Sequence, residues 1–103
     1  MRVKNKKLYY LKKRTVIVDE EGGQYASFSE TPIEINAYIY PASGKMQAEI
    51  YGERLNYILN MLYDENEEIV EGDCIVYNNS NYIVISIKNY SNHKLIELEK
   101  ENG

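Results

Sequence analysis

One histidine, one cysteine and a run of carboxylates are the residues of this 103-residue chain best suited to chemistry. His93 closes the tripeptide Ser91-Asn92-His93. A nucleophile–base pair is built by the fold from separate parts of a chain, so a serine two residues from the imidazole does not make one. We read His93 as a surface turn residue. Cys74 follows Gly72-Asp73 and opens an apolar run to Tyr77. A thiol becomes a nucleophile only where a base or cation lowers its pKa, and none is near it in sequence. A small buried hydrophobe is the expected role. Structural zinc needs clustered Cys and His, and this chain has one of each, far apart. In Asp64-Glu65-Asn66-Glu67-Glu68, Asp64 and Asn66 match the first two ligand positions of a calcium loop. Glu68 then stands at the fifth position and Ile69 where glycine is required, so a solvated acidic loop is expected. Gly22-Gly23 and Gly44 lack the further glycines and the Lys-Ser/Thr ending of a phosphate loop. No enzyme activity, cofactor or metal is expected.

Binding chemistry is better represented. Residues 1–14 hold seven bases and no acid, while the rest holds five bases and all 16 acids, a formal charge of −11. A basic arm on an acidic body fits nucleic acid held by the arm, or self-association with each arm lying on the next copy. Leu8, Tyr9, Tyr10 and Leu11 interrupt the charge, so that part is expected to be ordered. Eleven tyrosines, with no Trp and one Phe, supply amphipathic contact area of the kind enriched at interfaces. Tyr9-Tyr10 among lysines could also stack single-stranded bases, although the acidic body would repel phosphate.

The elements that must carry these residues have mostly period two. Ile33, Ile35, Ala37 and Ile39 alternate with Glu34, Asn36, Tyr38 and Tyr40, a half-buried strand. Tyr82 to Lys88 places Ile83, Ile85 and Ile87 on one face, and Lys94 to Lys100 sets Ile96 and Leu98 against Glu97 and Glu99. Thr15 to Val18 is β-branched and Cys74 to Tyr77 apolar, so both fit strands. Asn78-Asn79-Ser80-Asn81 reads as a four-residue hairpin loop and Ser91-Asn92-His93 as another. Glu20 to Thr31 reads as a loop, and Pro41-Ala42-Ser43-Gly44 as a turn. Strands are expected near 8–18, 32–40, 46–51, 55–63, 73–77, 82–89 and 94–100. The core is expected to take Ile33, Ile35, Ile39, Ile83, Ile85, Ile87, Ile96 and Leu98.

Segment 53–63 fits two periods. Leu55, Ile58, Leu59 and Leu62 make a helix stripe, whereas Leu55, Tyr57, Leu59, Met61 and Tyr63 alternate as a strand. Its two Asn and Tyr are mediocre helix formers among hairpins, and we favour the strand. The whole reads as one all-β domain, a small antiparallel β-barrel with a long loop or hairpin between early strands and a basic arm over about residues 1–11. A 44% hydrophobic fraction excludes a disordered chain, and no apolar run approaches the ~18 residues of a membrane span. One cysteine makes no internal disulfide and suits a reducing compartment. No apolar stretch follows the basic start, so no secretory signal is expected.

Tyr40-Pro41-Ala42-Ser43-Gly44-Lys45-Met46-Gln47-Ala48-Glu49-Ile50-Tyr51-Gly52 resembles the phage head-closure proteins, also called stopper or head–tail joining proteins. The nearest branch is that of phage-like elements of the PBSX type. Glu71-Gly72-Asp73, the hairpin through Tyr82-Ile83-Val84, and Tyr90 and His93 before Ile96-Glu97-Leu98 follow the same pattern. So does the opening, Val18-Asp19, a Gly pair and Ile33-Glu34-Ile35-Asn36-Ala37, so that the resemblance covers about residues 8–100.

The resemblance implies a structural β-barrel that forms a homo-oligomeric ring, a hexamer or else a dodecamer, in the virion neck. It implies a portal or adaptor ring above, a tail terminator or tail protein below, and packaged DNA retained in the channel without sequence-specific binding. Such a protein is made in the host cytoplasm and needs no membrane. A long loop between early strands reaches toward the channel in that family. The matching positions here are about 41–54, with Pro41, Ser43, Gly44, Lys45, Gln47, Glu49, Tyr51 and Gly52 facing it. We expect this segment to be a mobile hairpin. The arm, through Arg2, Lys4, Lys6, Lys7, Leu8, Tyr9, Tyr10 and Leu11, is expected to contact a neighbouring subunit or protein. Residues 1–11 should then be removable without unfolding the monomer. The alternative is a small OB-like or SH3-like module that binds nucleic acid.

Overall fold

The computed structural model describes residues 3–101, with the backbone alone for Tyr25 and Ala26. It contains eight strands and one short helix: β1 (Lys7–Lys12), β2 (Arg14–Val18), β3 (Gln24–Phe28), β4 (Ile33–Pro41), α1 (Lys45–Tyr51), a 3-10 segment (Gly52–Tyr57), β5 (Ile58–Tyr63), β6 (Cys74–Tyr77), β7 (Ser80–Asn89) and β8 (Lys94–Lys100). Six strands close an antiparallel barrel in the order β1-β4-β5-β8-β7-β6, and β2 and β3 form a separate two-stranded ribbon. The expected all-β barrel is the architecture observed.

Closure removes the free strand edges that a small open sheet would expose. β1 makes the seam: it pairs with β4 (Leu11↔Ile33) and with β6 (Leu11↔Ile75). Alternating residues point inward and fill the barrel, as the period-two pattern requires. Leu11, Ile35, Ala37, Ile39, Leu59, Met61, Tyr63, Ile75, Val84, Ile96 and Leu98 form the core, and Tyr9, Tyr77 and Tyr82 pack against it. These three rings join at one place, Tyr9–Tyr77 and Tyr77–Tyr82 both at 5.8 Å between centroids.

Several sequence expectations fail here for local reasons. Residues 8–18 are not one strand, because the chain leaves the barrel after Lys12 and begins the ribbon at Arg14. The stretch 20–31 is not all loop: Gln24–Phe28 pairs with β2 around a turn at Gly22, whose φ is +87°. Segment 46–51 is a helix, not a strand. Segment 53–63 divides, its first half in the 3-10 segment and its second in β5. The loop between β6 and β7 is two residues, not four, since Tyr77 pairs with Ser80. Asn78 and Asn79 take φ of +48° and +62°, the left-handed pair that a tight hairpin turn demands and asparagine tolerates.

On β7 the register shifts between Val84 and Ser86. This bulge changes the parity of the strand. Val84 opposes Leu98 and Ile87 opposes Ile96 on the inner face, while Ser86 opposes Glu97 outside. Ile83 and Ile85 are therefore only half-buried, and Val84 takes the core position expected of them.

Candidate functional site: two outer faces of the barrel

The basic N-terminal segment folds back on its own chain. Lys6 pairs with Asp64 at 2.5 Å and with Glu65 at 3.4 Å, and the Val3 N–H donates to Asp64. Lys13 pairs with Asp73, which also accepts the backbone N–H groups of Arg14 and Val70. Asp73 is 1% exposed, so each of these donors meets a desolvated carboxylate. The acidic run thus anchors its chain's own bases, and its buried carboxylates do not converge on a cation. Among the described residues no cluster of three His, Cys, Asp or Glu could hold a metal ion.

This corrects the expectation of a removable arm. Lys7 to Leu11 lie in β1, a wall of the barrel, and Arg2 lies outside the described residues. Leu11 is buried and Tyr9 packs against the core, partly buried; Leu8 and Tyr10 point outward and are exposed. Lys4 and Lys7 are exposed as well. Deleting residues 1–11 would remove the seam strand and open the barrel.

The second face is formed by segment 41–57. Its helix and 3-10 segment contain no buried residue. What ties α1 to the barrel is polar. The Gln47 side-chain amide donates to Asn60 at 2.8 Å and to Glu97 at 3.0 Å, and Asn60 donates back to Gln47 at 3.2 Å. Asn60 and Glu97 are opposed residues of β5 and β8, and both are buried beneath the helix. Arg54 makes a bidentate pair with Glu99, at 2.8 and 2.6 Å, and its guanidinium lies over the Tyr51 ring at 5.5 Å. Gly44, at φ +96°, starts the helix and accepts the Ala48 N–H; Gly52, at φ +56°, ends it. Met46, Ala48 and Ile50 do alternate along the chain, but the positions that fold inward are Gln47, Tyr51 and Arg54, one stripe of a helix. Of the residues expected to face a channel, Gln47 and Tyr51 face the barrel wall instead. Pro41, Ser43, Gly44, Lys45, Glu49 and Gly52 are exposed. The segment is a helix followed by a 3-10 turn rather than a hairpin.

The electrostatics follow the geometry. Burial pushes the Glu97 carboxyl up, but hydrogen bonds from Gln47, Tyr51 and Ser86 and the charge of Lys88 outweigh it and hold it below the ordinary range. Arg54 holds Glu99 low in the same way. The Tyr51 phenol is pushed up to about 12 by burial and by its bond to Glu97. No property of the sequence pattern pointed to this network, because its members come from five different elements.

The remaining candidates are Cys74 and His93. Cys74 is buried, and burial raises its thiol pKa. His93 stacks on Tyr90 at 5.0 Å and its Nδ1 contacts Asn92 at 2.9 Å. The two rings border a shallow cavity of about 270 Å³ that also touches Tyr63, Asp64 and Lys94. The ribbon leaves Val16, Ile17 and Val18 exposed. No helix among the described residues is long and apolar enough to cross a membrane.

No family model matches the chain, and no curated protein matches it. A solved structure does: the phage-like element PBSX protein xkdH from Bacillus subtilis superposes with a TM-score of 0.61, covering 95% of this chain and 97% of that one. Identity is 12%, so the likeness establishes the fold, shared almost end to end with a phage-element protein.

Proposed function

We propose that this chain is a structural protein of a tailed phage or phage-like particle, a head-closure subunit that forms a ring in the neck. There it retains packaged DNA and docks the tail. The observation that carries the reading is the end-to-end likeness of fold to a PBSX element protein, which agrees with the resemblance of residues 40–52. The exposed turn at Ser43-Gly44 is the channel-side part of segment 41–54 in this reading. A portal or adaptor ring and a tail protein are its neighbours, and DNA passes without sequence-specific contact. The nucleic-acid module draws less support, because Lys6 and Lys13 are engaged by carboxylates of the same chain.

Two measurements test this. Particles produced in a host expressing the chain should carry it in stoichiometric amount, and the purified chain at high concentration should show a ring-sized mass. Retention on heparin, with the chain absent from particles, would overturn the reading in favour of a nucleic-acid module.

A further inference from the structure

Helix α1 is amphipathic in the reverse sense. Its inner stripe is polar and hydrogen-bonds barrel side chains, whereas its outer stripe carries two apolar residues, Met46 and Ile50, at i and i+4, with Glu49 beside them and Glu53 in the 3-10 segment beyond. Met46 is 73% exposed and Ile50 62%. A seven-residue helix is too short to be stable on propensity alone, and it gains most by burying its apolar stripe. Among the described residues none covers it.

A second apolar strip lies elsewhere on the barrel. Leu8 and Tyr10 project from the outer face of β1, 49% and 41% exposed. In the circuit β1-β4-β5-β8-β7-β6, α1 is fastened over β5 and β8, two and three strand positions from β1. The two strips therefore point to opposite sides. Their charges are complementary. Glu49 and Glu53 lie beside the apolar pair, while Lys12 shares the outer face of β1 with Leu8 and Tyr10. Lys45 beside Met46 and Glu34 opposite Tyr10 repeat the match with the signs exchanged.

We infer that α1 of one copy docks on the outer face of β1 of the next copy, Met46 and Ile50 against Leu8 and Tyr10. Different patches on opposite sides give a head-to-tail contact, the kind that closes into a ring where the rotation allows. The aromatic Tyr10 is the anchor of such a contact and the charged residues set its register. The inference rests on the ring-subunit reading and supplies that reading with its interface.

Cysteine pairing tests the contact directly, since native Cys74 is buried. Ile50→Cys and Leu8→Cys are made as separate variants. On oxidation of a concentrated mixture, a disulfide-linked dimer should form that neither variant yields alone. The double variant should give a ladder of linked species, in solution and in particles. Glu49→Lys with Glu53→Lys should reduce the assembled fraction at least tenfold, and adding Lys12→Glu should restore part of it. A mixture without the mixed dimer, dimers from Ile50→Cys alone, or links only to another virion protein would overturn the contact. Particles that contain the double variant without a ladder would remove this interface but leave the neck-protein reading intact. Absence of the wild-type chain from particles would remove that reading itself.

Discussion

Lys13 reaches Asp73, 60 positions further along the chain, and the two meet where β1 ends and the ribbon begins. Asp73 also holds the Arg14 N–H, and the Ser29 N–H returns to the Lys13 carbonyl at 2.8 Å. The ribbon's base is thus clasped to the β6 end of the barrel by one buried carboxylate. Asp73→Ala leaves the Arg14 and Val70 amides without their acceptor, while the partly exposed Lys13 ammonium keeps the Glu68 carbonyl at 3.0 Å. Unmet buried donors cost about 1–3 kcal/mol each, so a loss of ~2–5 kcal/mol is expected by urea denaturation. Lys13→Met should cost less, because the two amide bonds to Asp73 remain.

The tether of α1 should depend on pH in both directions. Glu97 and Glu99 have folded-state pKa values below their ordinary ones, so their contribution is present above the ordinary carboxylate range and is lost as pH falls through the folded values. Tyr51 is raised to about 12, so its contribution holds below its ordinary 10.0 and is lost as pH rises from there through about 12. Amide exchange in 45–57 should therefore accelerate at both extremes before the barrel strands exchange. Equal acceleration of α1 and of β4 at acid pH would refute this.

The bulge on β7 predicts an order among core substitutions. Ile96→Ala removes a buried side chain and should cost ~2–5 kcal/mol through transfer and cavity terms. Ile85→Ala, at a half-buried position, should cost less than half as much in the same denaturation series.

Removal of residues 1–11 should abolish cooperative unfolding, because β1 bridges β4 and β6. Far-ultraviolet circular dichroism of the truncated chain should show loss of the strand signal. A folded, monomeric truncation would mean that the barrel can close over five strands.

Cys74 should resist thiol reagents in the native protein and react at once in denaturant, given its burial and raised pKa. His93→Ala, at a half-buried turn position, should leave stability within about 0.5 kcal/mol apart from its stacking on Tyr90.

Period two made the barrel legible. The alternation in Ile33–Ile39 and in Ile96–Leu98 names inward residues correctly, because a regular strand cannot hide which face is apolar. It misled where one residue changes parity, as in the β7 bulge. It misled again where polar groups rather than apolar ones fold inward, as Gln47 and Tyr51 do on α1. The charge asymmetry of the first 14 residues is plain in sequence. That Lys6 and Lys13 would meet Asp64 and Asp73 is not, since the pairing depends on how β1 returns beside β6. The short β3 is not legible in sequence because Gly22-Gly23 and Pro32 bracket it as they would a loop.

The seam between β1 and β6 also sets an order of events in time. Tyr10 pairs with Val76, so β1, the first barrel strand in chain order, waits for β6, the fourth of six, before its second edge is satisfied. Until then Leu11 has half its neighbours, and β4 and β5 have only each other and β1. Such long-range closure is slow, because the loop entropy is lost before the contacts that compensate for it form. Closure of the circuit therefore waits for β8, which must pair with both β5 and β7.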